Sequence, residues 1–251
     1  MEVLIFVMGL LFGSFFNVVG LRLPNGESIV WPGSHCPKCN HALSWYENIP
    51  VISYLFLGGK CKQCHEPISI MYPLIELLTA SLFLISYLIF DLTEGFAIGL
   101  VVSSLVAIIF VSDSKYMIIL DSPLVISSVL VLLIRYLYNG ASEVLYSLLG
   151  GGIVFGLMLF LMFIGNALFK RESLGGGDIK LSFVAGLVLG PSLGTFYIVL
   201  AAFMAFPYAL YVTIRKKESM LPFGPFLALS MLLIYFNMDF ATRIIRILLN
   251  L

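Results

Sequence analysis

Long apolar runs recur along almost the whole of this 251-residue chain. A helix needs roughly 20 mainly apolar residues to cross a bilayer. Eight runs qualify or come close, the shortest being 179–190: 3–19, 72–90, 97–112, 122–138, 145–169, 179–190, 195–214 and 223–238. Backbone N–H and C=O groups find no water inside a bilayer, so such spans must be helical. The pattern predicts an all-α polytopic membrane protein with about eight transmembrane helices and the lipid bilayer as its surroundings.

The composition excludes several other classes of protein. Only 11% of the residues are charged and 60% are hydrophobic, whereas a soluble domain carries about 25% charged residues. A soluble Rossmann-type enzyme, a secreted disulfide module and a disordered regulator are therefore excluded. The 14 basic residues balance the 14 acidic ones, which argues against a nucleic-acid partner.

The positions of the basic residues predict an orientation, because Lys and Arg collect on the cytoplasmic side of membrane proteins. Eleven fall in or beside the segments that alternate with the spans from 23–71 onward: Arg22, Lys38, Lys60, Lys62, Lys115, Lys170, Arg171, Lys180, Arg215, Lys216 and Lys217. The opposite side has three: Arg135, Arg243 and Arg246. We expect the N-terminus outside and the 23–71 loop in the cytoplasm. The chain begins Met1-Glu2 instead of with basic residues, so we interpret the first span as a retained helix.

We divide the chain into a first transmembrane helix (1–22), a cytoplasmic loop domain (23–71) and a transmembrane core (72–251). The loop contains two Cys-x-x-Cys motifs with 21 residues between them, formed by Cys36, Cys39, Cys61 and Cys64. Two thiolate pairs at this spacing can complete a tetrahedral zinc site. Disulfides or unrelated thiols are the alternatives, but a reducing cytoplasm disfavours disulfides. Four sulfur ligands leave no open position for water, which predicts a structural zinc ion. The nearby His35, His41 and His65 are expected not to be ligands.

Two aspartates are candidates for chemistry at the cytoplasmic face. Asp113 ends the third predicted span, and Asp178 opens the sixth after the glycines 175–177. Topology places both carboxylates at one depth, whereas their lateral distance does not follow from the sequence. Two neighbouring carboxylates can share one proton and activate water for peptide hydrolysis. The alternative is a structural pair that caps helices or faces a basic residue such as Lys180.

A second polar cluster near this face comprises Asn17, Arg22 and Glu76. Charges within membranes usually pair with one another, so we expect an ion pair between Arg22 and Glu76. The glycines at 150–152 predict close helix packing, and Gly190-Pro191 predicts a helix break.

With these residues in hand, the chain resembles the type IV prepilin peptidases, which are G-x-G-D intramembrane aspartyl proteases with N-methyltransferase activity. The segment Gly175-Gly176-Gly177-Asp178-Ile179-Lys180 fits the motif G-x-G-D-x-K. Further ordered matches cover almost the whole chain: 13–19 with 22–24, 36–39, 45–50, 53–55, 59–64, 67–69, 72–73, 113 with 121, and 222–225. Met71 departs from the Arg that the family commonly has before Tyr-Pro, and Leu120 replaces a Pro; neither residue belongs to the aspartate pair.

The resemblance implies that Asp113 and Asp178 are the catalytic pair and that Asp121 is a second, non-catalytic acidic position. The implied substrates are prepilins or pseudopilins, cut on the cytoplasmic side of the bacterial inner membrane after a Gly that ends a short basic leader. Methyl transfer from S-adenosylmethionine to the new N-terminus is the implied second activity. No glycine-rich Rossmann motif for S-adenosylmethionine is present, so this activity rests on the resemblance alone.

Two other classes of function predict different behaviour. A non-enzymatic scaffold that docks a partner through its zinc loop would depend on the cysteines and not on the aspartates. A transporter would place a proton-relaying acid near the bilayer centre, whereas both aspartates fall at span ends.

Overall fold

The computed structural model describes residues 1–170, 174–215 and 222–248. In these ranges the chain forms nine α-helices: α1 (Glu2–Arg22), α2 (Ile52–Phe56), α3 (Met71–Phe90), α4 (Glu94–Tyr116), α5 (Asp121–Asn139), α6 (Ala141–Phe169), α7 (Gly176–Arg215), α8 (Gly224–Phe236) and α9 (Met238–Leu248). Two short 3-10 turns, Leu23–Asn25 and Trp45–Asn48, lie between α1 and α2. The described residues form no β-strand, and the all-α prediction is confirmed.

Within the described residues, six helices are long and apolar enough to cross a membrane, namely α1, α3, α4, α5, α6 and α7. The pair α8 and α9 is bent by 96° and would make a seventh span if the two helices crossed together. The predicted number of eight is not confirmed. The predicted spans 179–190 and 195–214 both lie within α7, which is broken at Gly190 (φ 74°, ψ −178°). Since Pro191 has no N–H to donate, the helix is interrupted here, but the chain forms a kink instead of a loop.

The polarity of the bundle is that of a multi-pass membrane protein. Large apolar side chains such as Leu137, Phe163 and Phe203 are exposed on the outer surface. Small hydroxyl side chains are buried inside, where Thr79 and Ser86 donate hydrogen bonds to carbonyl oxygens one turn earlier in their own helix. These two hydroxyl groups are thus satisfied within their own helix, and the apolar exterior suits lipid.

Helix α4 lies at the centre and connects two hydrophobic clusters. Val106 and Ile109 belong to the larger cluster, to which the helices from α3 to α9 contribute. Ala107 and Val111, on another side of the same helix, belong to a cluster formed with α1 and α3. Because α4 is held from both sides, a side chain near its end has a well-defined position.

The predicted close packing of α6 is confirmed at Gly150 and Gly151, whereas a Cβ on Gly152 would meet none of the described atoms within 4 Å. A Cβ atom on Gly150 would overlap the carbonyl oxygen of Gly186 in α7 and would lie 2.9 Å from the Cα of Gly190. The backbones of α6 and α7 therefore touch directly, which only residues without a side chain allow.

The predicted ion pair between Arg22 and Glu76 is wrong. The Arg22 guanidinium donates to the carbonyl oxygens of Ser28, Pro32 and Gly33. The Glu76 carboxylate accepts the N–H of Val51 at 2.7 Å. A guanidinium has five donors, and the turns of the loop offer carbonyl oxygens close to Arg22. Arg22 and Glu76 therefore each bind the backbone of the loop instead of forming an ion pair.

The described residues include eight of the eleven basic residues that predicted the orientation; Arg171, Lys216 and Lys217 lie outside them. At the end of α1, the Tyr116 hydroxyl donates to the carbonyl oxygen of Leu21 at 3.2 Å, and the Asn25 amide donates to that hydroxyl at 3.0 Å. The ends of α1 and α4 and the start of the cysteine loop are therefore joined.

Candidate active site and metal centre

Asp113 lies in the last turn of α4, and its residue is 5% exposed. Its Oδ2 atom is buried without a hydrogen-bond partner among the described residues. The helix ends three residues later, where Met117 adopts a left-handed conformation (φ 53°) and its N–H bonds to the Asp113 carbonyl oxygen. A buried carboxyl oxygen without a partner is costly in a folded protein and usually reflects a function.

Asp178 lies in the first turn of α7 and is 9% exposed. Its N–H donates to the carbonyl oxygen of Gly175 at 3.1 Å, and the Ser182 hydroxyl donates to its own carbonyl oxygen at 2.9 Å. The backbone is thus held on both sides of the residue. The first turn of a helix carries a partial positive charge from its free N–H groups, which favours a carboxylate at this position.

The tertiary structure brings the two aspartates to one site through a shared neighbour, Ile119. A Cβ on Gly177 would lie 2.8 Å from the Ile119 Cβ, and a Cβ on Gly224 would lie 2.9 Å from the Ile119 Cδ1 and 3.5 Å from the Asp113 Oδ1. Gly177 precedes Asp178 directly, so Ile119 lies beside both aspartates. The lateral proximity that the sequence left open is therefore present.

Lys180, the alternative partner for Asp178, does not form an ion pair with it among the described residues. The Lys180 ammonium binds both carboxylate oxygens of Asp121, at 2.7 and 2.8 Å. Both side chains of this pair are largely exposed. The ion pair therefore joins α5 to α7 at the protein surface, beside the buried aspartates.

Sequence reasoning missed Ile119 and the position of Gly224 beside Asp113. The sequence marks Gly224 only as part of the matching motif at 222–225, and nothing in the local pattern around Ile119 marks Ile119 as a neighbour of the aspartates. A glycine just before Pro225 at the start of a short apolar helix was the available signal, since a missing side chain can indicate a close approach.

The four cysteines form a compact group at the end of the loop. Their sulfur atoms all lie within 4.8 Å of one another. The sulfur of Cys36 is 3.8 Å from that of Cys64, and the sulfur of Cys39 is 3.9 Å from that of Cys61. Sulfurs that surround one ion tetrahedrally at a Zn–S distance of about 2.3 Å are roughly 3.8 Å apart. The four residues can therefore hold a metal ion.

The two Cys-x-x-Cys motifs have the same backbone design. The N–H of Cys36 bonds to the carbonyl oxygen of His41, and the N–H of Cys61 bonds to that of Glu66, both at 2.9 Å. Each turn closes with a left-handed residue directly after its second cysteine: Asn40 (φ 56°) and His65 (φ 57°). Two short stretches of chain that fold alike thus face each other across the group of sulfurs.

The electrostatics of the thiols suit a cation. The backbone N–H groups of Cys39 and Lys38 lower the pKa of Cys36 to about 7. The backbone N–H of Glu66 lowers the pKa of Cys64, but burial and the three other cysteine side chains outweigh it and raise that pKa to about 12. A thiolate at one cysteine therefore opposes ionisation at another, and a divalent cation between them would offset this repulsion.

The histidines near the knuckles have other contacts. The His35 Nδ1 lies 3.0 Å from the Gly33 carbonyl oxygen, and the His41 Nε2 lies 3.2 Å from the Glu47 carboxylate. Glu47 also accepts the Ser44 N–H at 2.8 Å, and this hydrogen bond lowers the pKa of the Glu47 carboxyl. These contacts stabilise the turn Trp45–Asn48 beside the metal site.

The fold and the site together define a class of protein: an α-helical membrane protein with two buried aspartates at helix ends and a group of four cysteines that could hold a metal ion. Residues 7–90 match the family model of the bacterial peptidase A24 N-terminal domain, and residues 100–210 match that of the type IV leader peptidase family. The chain belongs to the type IV leader peptidase family.

Curated relatives agree with this assignment. A prepilin leader peptidase/N-methyltransferase of Vibrio cholerae is 33% identical, with 94% of this chain and 96% of the relative covered. A protein of the same name from Bacillus subtilis is 36% identical, with 94% of each chain covered. One from Myxococcus xanthus is 39% identical over 74% of this chain and 56% of the relative, so the match spans little more than half of that longer protein. No solved structure matches the chain significantly.

Proposed function

We propose that this protein removes the leader of type IV prepilins or pseudopilins and then methylates the new N-terminus. The observation that carries the proposal is that two buried aspartates, from the end of α4 and the start of α7, lie around the same residue, Ile119, while the side-chain face of the neighbouring Gly176 is open. The names of the relatives support both activities.

The two helix ends suggest how Asp113 and Asp178 divide the work. Asp178 stands at the positive end of α7, where a carboxylate is favoured, and Asp113 stands at the negative end of α4, where the neutral acid is favoured. Ionised Asp178 would take a proton from water while protonated Asp113 donates a hydrogen bond to the peptide carbonyl. Water then adds to the carbonyl carbon, and the C–N bond breaks as a proton returns to the leaving nitrogen.

We propose that the metal held by Cys36, Cys39, Cys61 and Cys64 is a structural zinc ion. Its contribution would be folding energy for the loop, since the 23–71 segment has little hydrophobic core of its own. Few residues of this segment are buried, which supports this view, and two of the buried residues are the cysteines Cys36 and Cys61.

The protein is proposed to lie in the bacterial inner membrane with its N-terminus outside and the cysteine loop in the cytoplasm. The distribution of Lys and Arg supports this orientation. The structure supports it further, because the loop, the end of α1 and the end of α4 share one end of the bundle. The division into a first helix (1–22), a zinc loop domain (23–71) and a peptidase core (72–251) stays a prediction.

Aspartate variants test the peptidase. We expect Asp113→Asn and Asp178→Asn to abolish leader removal from a purified prepilin, measured by mass spectrometry, while the thermal unfolding of each variant stays close to wild type. Asp121→Asn is the matched control, because its carboxylate is exposed and paired with Lys180, and it should keep most of the activity. Cleavage at the normal rate by either of the first two variants would overturn the assignment. An inactive wild type would favour the non-enzymatic scaffold.

A further inference from the structure

A cavity of about 630 Å³ lies between the cysteine loop and the ends of α1, α3 and α4. Pockets for small molecules typically measure about 300–1,000 Å³. All three helices and the loop contribute to the walls, and the metal-site residues Cys36 and Cys61 are among them. The loop therefore forms one wall of the cavity, and the ends of the membrane helices form the others.

Several charged groups in this wall already have partners. Arg22 donates hydrogen bonds to carbonyl oxygens of the loop, and Glu47 accepts the Ser44 N–H. Lys62 donates to the Tyr46 hydroxyl at 2.7 Å. These groups build the cavity and are committed to the protein.

Other wall residues still have hydrogen-bonding and stacking capacity for a ligand. Glu76 is 7% exposed, and its carboxylate accepts hydrogen bonds from the Val51 N–H and the Ser14 hydroxyl, whereas a carboxylate can accept about four. Tyr54 and Tyr72 offer aromatic faces, and Lys38 and Lys115 offer cationic groups. A buried acid, aromatic rings and lysines fit a ligand that combines hydroxyl or ammonium groups, a flat ring and a carboxylate.

The cavity also lies close to the aspartate pair. Lys115 and Tyr116, which line it, follow Asp113 on the last turn of α4. A new N-terminus released at Asp113 is therefore freed at the same end of the protein as the cavity.

We propose that this cavity binds S-adenosylmethionine, with Glu76 as an acceptor for hydroxyl or ammonium groups and the tyrosines against the adenine ring. The inference rests on the methyl transfer proposed above. In that reaction the deprotonated amine of the new N-terminus forms a bond to the methyl carbon. The carbon–sulfur bond breaks, its electron pair stays on sulfur, and S-adenosylhomocysteine leaves.

Direct binding tests the site without relying on turnover. Equilibrium dialysis of radiolabelled S-adenosylmethionine against the purified full-length protein should show binding, and Glu76→Gln should weaken it roughly tenfold or more, as expected for a lost hydrogen bond to a charged group. The glutamine oxygen can still accept the Val51 N–H, and unchanged metal content would show that the loop is folded. Glu143→Gln, an acid that pairs with Arg135 away from the cavity, should bind like wild type.

Ultraviolet crosslinking of bound S-adenosylmethionine, followed by peptide mapping of the wild-type protein, provides a second measurement. Labelled peptides containing Tyr54 or Tyr72 are expected. Two results would overturn the cavity as the binding site if the product is still methylated. One is crosslinking only to peptides outside the cavity, and the other is unchanged S-adenosylmethionine binding by Glu76→Gln. Cleaved product that is never methylated would instead overturn the proposed methyltransferase activity and leave the peptidase intact.

Discussion

Burial distinguishes three aspartates that look alike in the sequence. Asp113 and Asp178 are 5% and 9% exposed, whereas the side chain of Asp121 is 64% exposed and pairs with Lys180. An exposed ion pair contributes about 0–1 kcal/mol to stability, because water solvates the two charged groups almost as well as they bind each other. The carboxyl groups of Asp113 and Asp178 are buried around the same residue, Ile119, and two carboxyl groups that share a buried site can hold one proton between them.

A methyl group on Gly224 should disturb Asp113. The new Cβ would lie 2.9 Å from the Ile119 Cδ1 and 3.5 Å from the Asp113 Oδ1. A displacement of about 1 Å in an active site can cost on the order of a hundredfold in rate. We expect Gly224→Ala to lower kcat for prepilin cleavage by less than that factor, because the Ile119 Cδ1 atom can move aside and 3.5 Å is an ordinary contact distance. The helix itself should not suffer, because Ala forms helices better than Gly.

A second change separates this contact from a general effect. Ile119→Ala removes the Cδ1 atom, so Gly224→Ala combined with Ile119→Ala should recover most of the lost rate. Gly177→Ala should not be rescued in this way, because its Cβ would lie 2.8 Å from the Ile119 Cβ, and alanine retains that atom. Equal rescue of both glycine variants, or of neither, would contradict the geometry around Ile119.

At the scale of the element, the cysteine loop shows how a segment with little core can hold a fixed shape. Two knuckles with the same backbone hydrogen bonds place four sulfurs within 4.8 Å. The surrounding polar contacts, such as the Glu47 carboxylate with the Ser44 N–H, stabilise turns but bury little apolar surface. Metal binding is therefore expected to supply much of the loop's folding energy.

Elemental analysis of the purified protein should find one zinc ion per chain. Cys36→Ser and Cys61→Ser each remove a direct ligand, so the loss of zinc affinity should exceed the roughly 10–100-fold typical of losing a hydrogen-bond partner of a ligand. His35→Ala is the control, because His35 contacts the Gly33 carbonyl oxygen and should leave the zinc content unchanged. A wild-type protein without zinc, or cysteine variants that retain it, would disprove the structural-zinc proposal.

At the scale of the whole molecule, the geometry around Asp113 and Asp178 depends on how helices pack far from the two aspartates. Asp178 opens α7, and α7 touches α6 backbone to backbone at Gly150 and Gly186. The position of α7 relative to α4 therefore depends on this contact as well as on the core around Val106 and Ile109.

Adding one methyl group at the α6–α7 contact should destabilise the bundle. Gly150→Ala places a Cβ against the Gly186 carbonyl oxygen, and overpacking of this kind costs about 1–3 kcal/mol. Gly152→Ala is the matched control in the same helix, since its Cβ would meet none of the described atoms within 4 Å. Thermal unfolding in detergent should show a lower melting temperature for Gly150→Ala only; equal values for the two variants would contradict the packing.

Several features followed from the sequence because their causes are local. The membrane helices follow from apolar runs, since each span must satisfy its own backbone within lipid. The group of four cysteines that could bind a metal ion follows from two short motifs, and the close packing at Gly150 and Gly151 follows from residues without side chains. The helix break at Gly190-Pro191 has an equally local cause, because proline lacks an N–H.

Other features were decided by tertiary structure, because they depend on residues far apart in the chain. The sequence Gly190-Pro191 predicted a helix break, but it did not determine whether 179–214 forms one kinked helix or two separate spans. Arg22 and Glu76 each found backbone partners in the loop, which charge pairing alone did not predict. The meeting of Asp113 with Asp178, and the cavity beneath the cysteine loop, arise from which helices lie side by side. That order is set by the summed packing of the whole bundle, in which no short segment carries enough information.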